Sequence, residues 1–281
     1  MKNGLYPGLS LSQYLAIDAA HHSVLRKFNR SAAHAQHEIL HPPEPTSAQE
    51  LGTATHMALL EPERFRHDYA EMPKVDRRTK AGKDAWAEFE RAHPGATVIS
   101  DEDAQHIRGM QGAVEAHPLA VQALRTSPGI SEVTFVWERK ADGLITPCKG
   151  RLDRFCKIAG RSVVVDLKTT PDASPRGFAR AAANWGYHSQ AAFYLDGLGA
   201  LSGAERAYWI VAVEKESPYG VSVFELDEPS LEQGRREYQR WLWLYREAVA
   251  SGVWPAYDSG LQSLSIPRWA FDAPADLSEV F

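Results

Sequence analysis

The stretch G-R-L-D-R-F-C-K-I-A-G-R-S-V-V-V-D-L-K-T, residues 150–169, decides how the rest of the chain is read. Ser162 to Lys168 is a short apolar, β-branched run, and Pro171 and Pro175 close it, as at the end of a strand. Ala159-Gly160 marks a tight turn, and Leu144 to Lys157 reads as the strand which that turn reverses. Alternate side chains of a strand share a face. Asp166 and Lys168 therefore project to one side, and Val163, Val165 and Leu167 project to the other, into a core. Asp153 and Asp166 are equidistant from the Ala159-Gly160 turn, so the hairpin sets them opposite one another. Upstream, Glu132 to Glu138 is a further strand, ending ahead of the hairpin signal Asp142-Gly143. Glu132 and Asp153 are equidistant from that turn. Unless a bulge intervenes, three carboxylates form a row across three strands, with Lys168 beside it.

Like charges opposed across a sheet destabilise it, so such a row calls for a cation. A hard, oxygen-preferring ion, Mg²⁺ or Mn²⁺, matches the donors; Zn²⁺ does not, because no Cys/His cluster is near in sequence. An ion there orients a phosphate and stabilises a leaving oxygen. Lys168 is placed to position a water or to steady developing negative charge. D-x-K alone is a frequent exposed ion pair, and G-R-L-D in matching register is what sets it apart. Glu132 by itself reads as a solvated residue at a strand start.

Working outward, the N-terminal third is helical. Ser10 and Gln13 form a capping box for a helix through about Phe28, and Pro42, Pro43 and Pro45 break the chain. Ser47 and Glu50 form a second box for a short helix ending before Pro62. Helices follow at Lys80 to Arg91 and from Ser100 towards His117, the latter with acidic residues suited to its N-terminus. After the three strands come helices at about Ser174 to Ala183 and Tyr187 to Leu201, strands at Arg206 to Glu214 and Tyr219 to Leu226, and a long helix from Glu228 to Ala250. Its stripe of Trp241, Leu242, Leu244, Tyr245 and Val249 suits either a core or a subunit contact. The expected organisation is one domain, 1–281: a mainly helical part at 1–125, a core at 130–250 and an irregular tail at 251–281.

The 281 residues carry a net charge of −5, which argues weakly against a DNA-coating protein but not against an enzyme with a local basic channel. Arg26, Lys27 and Arg30, and Lys74, Arg77, Arg78, Lys80 and Lys83, form basic runs whose simplest reading is a solvated face. There is no apolar run long enough to span a membrane and no secretory signal. Cys148 and Cys156 read as buried free thiols in a reducing compartment, which points to the cytoplasm.

At these residues the chain resembles the PD-(D/E)XK nucleases, most nearly their RecB-like and lambda exonuclease-like branch. G-R-L-D at 150–153 and D-L-K-T at 166–169 are similar to two of its motifs, and Gln190 and Tyr194 in Q-A-A-F-Y are similar to its Q-x-x-x-Y helix. His56 in G-T-A-T-H resembles the upstream histidine of RecB-type nucleases. Together with the N-terminal Y-P-G-L-S-L-S-Q and the G-T-A-T-H-M-A-L-L-E-P run, the set resembles the RecE-type exodeoxyribonuclease (alkaline exonuclease) domain over roughly residues 5 to 250. The resemblance implies an α/β fold, a central mixed sheet flanked by helices. It implies Asp153, Asp166 and the Leu167 carbonyl as metal ligands, with Lys168 assisting the attacking water and Glu132 as an additional acidic residue. Gln190 and Tyr194 would support the site or touch the DNA backbone. His56 would be either a ligand or a structural hydrogen-bond donor. Asp166 departs from the glutamate that many members carry, which shortens its reach. The implied activity is processive 5′–3′ digestion of linear duplex DNA by a ring-shaped homotrimer, leaving a 3′ strand for a single-strand annealing protein in phage-type recombination. An alkaline optimum is also implied, which a partly deprotonated Lys168 or an ion-activated water would explain. Arg26 is a candidate for gripping a 5′ phosphate and equally an exposed helix arginine; Arg77, Arg78, Lys80 and Lys83 are candidates for lining the duplex entrance.

Two other readings stand beside this one. A related nuclease of other polarity or endonuclease action, such as a CRISPR-associated RecB-like enzyme, often carries four cysteines for an iron–sulfur cluster, against two here. A non-catalytic DNA-binding protein of the same fold would have little use for Asp153, Asp166 and Lys168 together.

Overall fold

The structure, a computed structural model, describes residues 1–141, 143–257, 260–267 and 271. The elements run β1 (Gly4–Tyr6), α1 (Leu11–Leu15), α2 (His22–Leu25), α3 (Ala32–Leu40), α4 (Ser47–Leu60), α5 (Pro62–Asp68), β2 (Tyr69–Glu71), α6 (Lys80–Ala92), β3 (Thr97–Ile99), α7 (Asp101–Ala116) and α8 (Pro118–Val121). They continue β4 (Gly129–Ala141), β5 (Leu144–Ile158), β6 (Arg161–Thr170), α9 (Pro175–Trp185), α10 (Tyr187–Ser202), β7 (Ala207–Glu214), β8 (Val221–Glu225) and α11 (Glu228–Ser251). Six strands form one sheet in the order β1-β4-β5-β6-β7-β8. All neighbours are antiparallel except β6 and β7, whose parallel pairing is closed by the α9–α10 crossover.

Helices cover both faces. On one, Val133, Phe135, Leu152 and Val164 pack with Phe193 and Leu198 of α10, Trp241 and Leu242 of α11, and Leu25 and Phe28. On the other, Val163, Val165, Leu167 and Val211 pack against Leu59 of α4 and Met110 and Val114 of α7. The aromatic stripe of α11 is thus core at Trp241 and Leu242, while Val249 is exposed. Among the described residues no helix is long and apolar enough to cross a membrane.

Two of the helix expectations need correction. The helix expected from Ser10 to Phe28 is broken after Leu15 and resumes only as α2 and a 3₁₀ turn at Arg26–Asn29. The cause is β5, which outruns β6 and leaves an unpaired edge. Ala20 fills that edge, donating its N–H to Pro147 O at 2.9 Å and accepting from Lys149 N at 2.8 Å. The buried Lys149 ammonium holds the released carbonyls of Tyr14 and Ile17, at 2.9 and 2.7 Å. The second capping box is Thr46 with Gln49, one residue earlier than Ser47 and Glu50, so α4 gains a residue at its start. Asp142 of the expected hairpin turn lies outside the described residues, as does part of the tail expected to be irregular; 252–257 and 261–267 form neither helix nor strand.

The expected hairpin registers hold at the flanking pairs, Ser131↔Arg154 and Val133↔Leu152 on one side and Arg154↔Val165 on the other. The row of carboxylates itself is not ladder-paired. Glu132 takes a left-handed backbone, φ 55°, and there the strands break alternation: Leu152 and Phe155 both turn to the first core. This double kink keeps the register while turning Glu132 and Asp153 out of the ladder.

Candidate active site

The side chains of the site are placed by five elements, α4, β4, β5, β6 and α10. On α4, Gly52 lets the helix approach β6 closely, since a Cβ there would meet Thr169 Oγ1 at 3.2 Å. One turn on, His56 reaches the sheet. Its Nε2 lies 2.8 Å from Asp153 Oδ2 and its Nδ1 lies 3.4 Å from Glu132 Oε1. Glu132 is also held by Arg151 Nε at 2.6 Å, and the same guanidinium donates to Leu9 O at 2.8 Å. Asp153 Oδ2 accepts the Leu167 N–H at 2.7 Å, where β5 and β6 stop pairing. A carboxylate thus replaces a backbone acceptor, and the strands part around it. Lys168 Nζ stands 2.8 Å from Asp166 Oδ1 and 2.7 Å from Oδ2. The Gln190 amide donates to Asp166 Oδ1 at 3.4 Å.

The electrostatics follow from that packing. Burial opposes charge on His56, but Asp153 and Glu132 outweigh it and lift the imidazole from 6.5 to about 9. Burial likewise opposes charge on Asp153, yet His56, Lys168 and the Leu167 N–H hold it down at about 2. Burial raises Asp166 to about 6, against Lys168 and with the help of Asp153. Glu132 is raised by burial and by the Asp153 charge. Lys168 is disfavoured by burial but pushed above its ordinary value by Asp166 and Asp153. That direction runs against the expectation of a partly deprotonated Lys168, since Asp166 and Asp153 both favour the ammonium form.

These donors fit a divalent cation. One ligand atom each from His56, Glu132 and Asp153 lies within 4.8 Å of the others. Asp166 Oδ2 is buried and accepts no hydrogen bond of good geometry, although Lys168 is close. Two carboxylates and one imidazole are donors suited to a divalent cation. The ligand-distance group nonetheless differs from the expected Asp153–Asp166 pair: His56 and Glu132 join Asp153, while Asp166 sits with Lys168.

Without metal, the His56 imidazolium does the neutralising, and that predicts a pH dependence. A raised imidazole stabilises the fold fully below pH 6.5, and the contribution is lost as pH rises through about 9. Its worth is about 2 kcal/mol, once a ring left 30% exposed is allowed for. Urea unfolding of EDTA-treated protein should show that loss between pH 6.5 and 9.5, and His56→Gln should nearly abolish the slope. A flat wild-type profile would contradict the ion triad.

The remaining sequence candidates are dispersed. Leu167 has a buried side chain in the second core, and its N–H is taken by Asp153. Tyr194 lies behind the site, edge-on to Phe135 at 5.3 Å, and burial pushes its phenol well above the ordinary range. The G-R-L-D glycine makes room for it, since a Cβ on Gly150 would meet Phe135 at 2.4 Å and Tyr194 at 3.0 Å. Arg26 donates to Asn184 O at 2.9 Å and lies 5.3 Å over the Trp185 ring. Arg77 lies 3.9 Å over the Trp86 ring and Arg78 is paired with Asp76. Lys80 and Lys83 are exposed on α6. None of these four has a hydrogen bond or ion pair to the carboxylate cluster among the described residues. Two neighbours were not singled out from sequence. Arg151 lies inside G-R-L-D, so only its partner was hidden; Tyr187, 5.0 Å from Lys168 Nζ, had no signal beyond starting a helix.

Comparison with known proteins agrees with the architecture. A family model described as a PDDEXK-like domain of unknown function (DUF3799) matches residues 21–264. A crystal structure of a Eubacterium rectale protein provisionally designated an exonuclease superposes with a TM-score of 0.60, covering 92% of this chain and 95% of that one at 12% identity. That is a likeness of fold. A second solved structure, SSO0001, gives a TM-score of 0.30 at 16% identity over 69% of this chain and 85% of that one, too low to show a shared fold. Nothing among curated proteins matches the chain in sequence.

Proposed function

The chain belongs to the PDDEXK-like family DUF3799, and on that premise we propose that it is a divalent-metal-dependent exodeoxyribonuclease. It digests linear duplex DNA processively from the 5′ end, releases 5′-phosphomononucleotides and leaves a 3′ single strand. The observation that carries this reading is the group His56, Glu132 and Asp153, within 4.8 Å of one another, beside the Asp166–Lys168 pair. The designation of the Eubacterium rectale neighbour and the RecE-type likeness of the motifs support the exonuclease direction. Working as a homotrimeric ring with a single-strand annealing protein, in the cytoplasm, belongs to the same proposal and draws on the RecE-type likeness alone.

Bound among these ligands, Mg²⁺ (or Mn²⁺ in its place) would neutralise charge at the scissile phosphate and make water more acidic. The rest falls to the chain. Asp153, Glu132 and His56 would hold the ion, with Asp166 beside them as a further carboxylate. Glu132 is fixed by Arg151, Asp153 by Leu167 N–H and Asp166 by Gln190. Lys168, held as an ammonium, steadies negative charge gathering on the phosphate oxygens. Water adds its oxygen to phosphorus, the P–O3′ bond breaks, and the departing 3′ oxygen takes up a proton.

The test is digestion of linear duplex labelled at either 5′ or 3′ ends, with Mg²⁺, beside a closed circle. The 5′ label should be released first, as mononucleotide, and the circle should survive. Nicked circles would overturn the exonuclease reading, and no cleavage with Mg²⁺ or Mn²⁺ would overturn the nuclease reading.

A further inference from the structure

The α9–α10 turn carries an aromatic side chain that the fold does not use. Along α9, Phe178 and Trp185 are seven residues apart and so share a helix face. Phe178 is buried in the core, but Trp185 is 57% exposed. Its one described partner is Arg26, whose guanidinium lies 5.3 Å from the ring centroid while donating to Asn184 O. Directly after the turn at Gly186, Tyr187 sits 5.0 Å from Lys168 Nζ. An exposed indole backed by a cation therefore stands two residues from a ring that touches the Lys168 ammonium. α9 adds exposed Arg176 and Arg180 and no carboxylate.

We propose that Trp185, backed by Arg26, is a stacking platform for an unpaired nucleobase of a DNA strand end, which it holds next to the Asp166–Lys168 pair. The inference rests on the nuclease reading above and narrows its substrate to ends with unpaired nucleotides. An indole face takes any base, but only one freed from its neighbours in the duplex. Arg26 supplies cation–π support and a charge for the adjoining phosphate. Buried Ser189 donates to Gly186 O at 2.7 Å and so accepts from His22 Nε2 at 2.9 Å, which fixes this turn to α2.

Binding can be read apart from cleavage, by fluorescence anisotropy in Ca²⁺ with a labelled dT12 strand, a duplex with a dT12 overhang and a blunt duplex. Trp185→Ala should weaken dT12 and overhang binding about tenfold, the scale of one lost base–aromatic stack. Blunt-duplex binding should change less than twofold, and Trp185→Phe should restore most of the loss. Circular dichroism and the thermal midpoint check that the exposed substitution leaves the fold intact. Unchanged dT12 affinity, no measurable dT12 binding by the wild type, or equal losses on all three probes would overturn the platform. A wild type that binds dT12 through Trp185 yet cleaves nothing would instead leave the platform standing and remove the nuclease reading.

Discussion

Replacing Asp153 by asparagine is expected to lower the cleavage rate by at least roughly 10³-fold, beyond the usual cost of one transition-state donor, while the protein stays folded. Asparagine is the informative change because it keeps an oxygen to accept the Leu167 N–H, a 2.7 Å bond at the point where β5 and β6 part. What it removes is charge. Asp153 is the carboxylate that His56 approaches to 2.8 Å, and it shares the ligand-distance group with His56 and Glu132. Without it, the imidazole loses its main reason to be raised and the ligand-distance group falls to one imidazole and one carboxylate. Far-UV dichroism and urea midpoints separate loss of chemistry from loss of fold. A variant within tenfold of the wild-type rate would remove Asp153 from the mechanism.

Lys168→Ala should lower the rate by about 10²- to 10³-fold and should also destabilise the protein. Asp166 is 2% exposed and the Lys168 ammonium is in direct contact with it. Breaking a buried pair leaves an uncompensated charge, at a cost of about 3 kcal/mol. The penalty has a predicted pH dependence. Burial already raises Asp166 to about 6 with Lys168 present, and removing the ammonium raises it further. The variant can then shed the charge by taking up a proton, so its deficit against wild type should shrink as pH falls from 8 towards 5. Urea unfolding at the two pH values reads this directly. An equal deficit at both would mean that the lysine contributes packing and not charge.

Much of this arrangement was legible in the sequence because strand chemistry is periodic. The alternation of Ser162 to Lys168 put Asp166 and Lys168 on one face, and the Ala159-Gly160 turn fixed the register that brings Asp153 near them. The same arithmetic put Glu132 beside Asp153. It could not show that Glu132 adopts a left-handed backbone, since a bulky acidic residue carries no signal for that conformation. Nor could it show that both strands leave the ladder there. His56 was suggested by its motif, but its bridging of Glu132 and Asp153 depends on the close approach of α4 at Gly52, a tertiary contact. The N-terminal helix was overextended for a related reason: helix periodicity cannot foresee that Ala20 will be recruited to the spare edge of β5. Short strands such as β1, β2 and β3 are too brief for any pattern to declare itself.

His56, Glu132 and Asp153 should bind one divalent ion together. Calorimetric titration of Mn²⁺ into metal-free wild type and Asp153→Asn at pH 7.5, repeated in two buffers of different ionisation heat, reads this. The wild type should bind, with a heat that differs between buffers because His56, raised to about 9, must give up its proton to become a ligand; Asp153→Asn should show no comparable binding. Equal binding by both proteins, or wild-type binding with no proton release, would contradict the account.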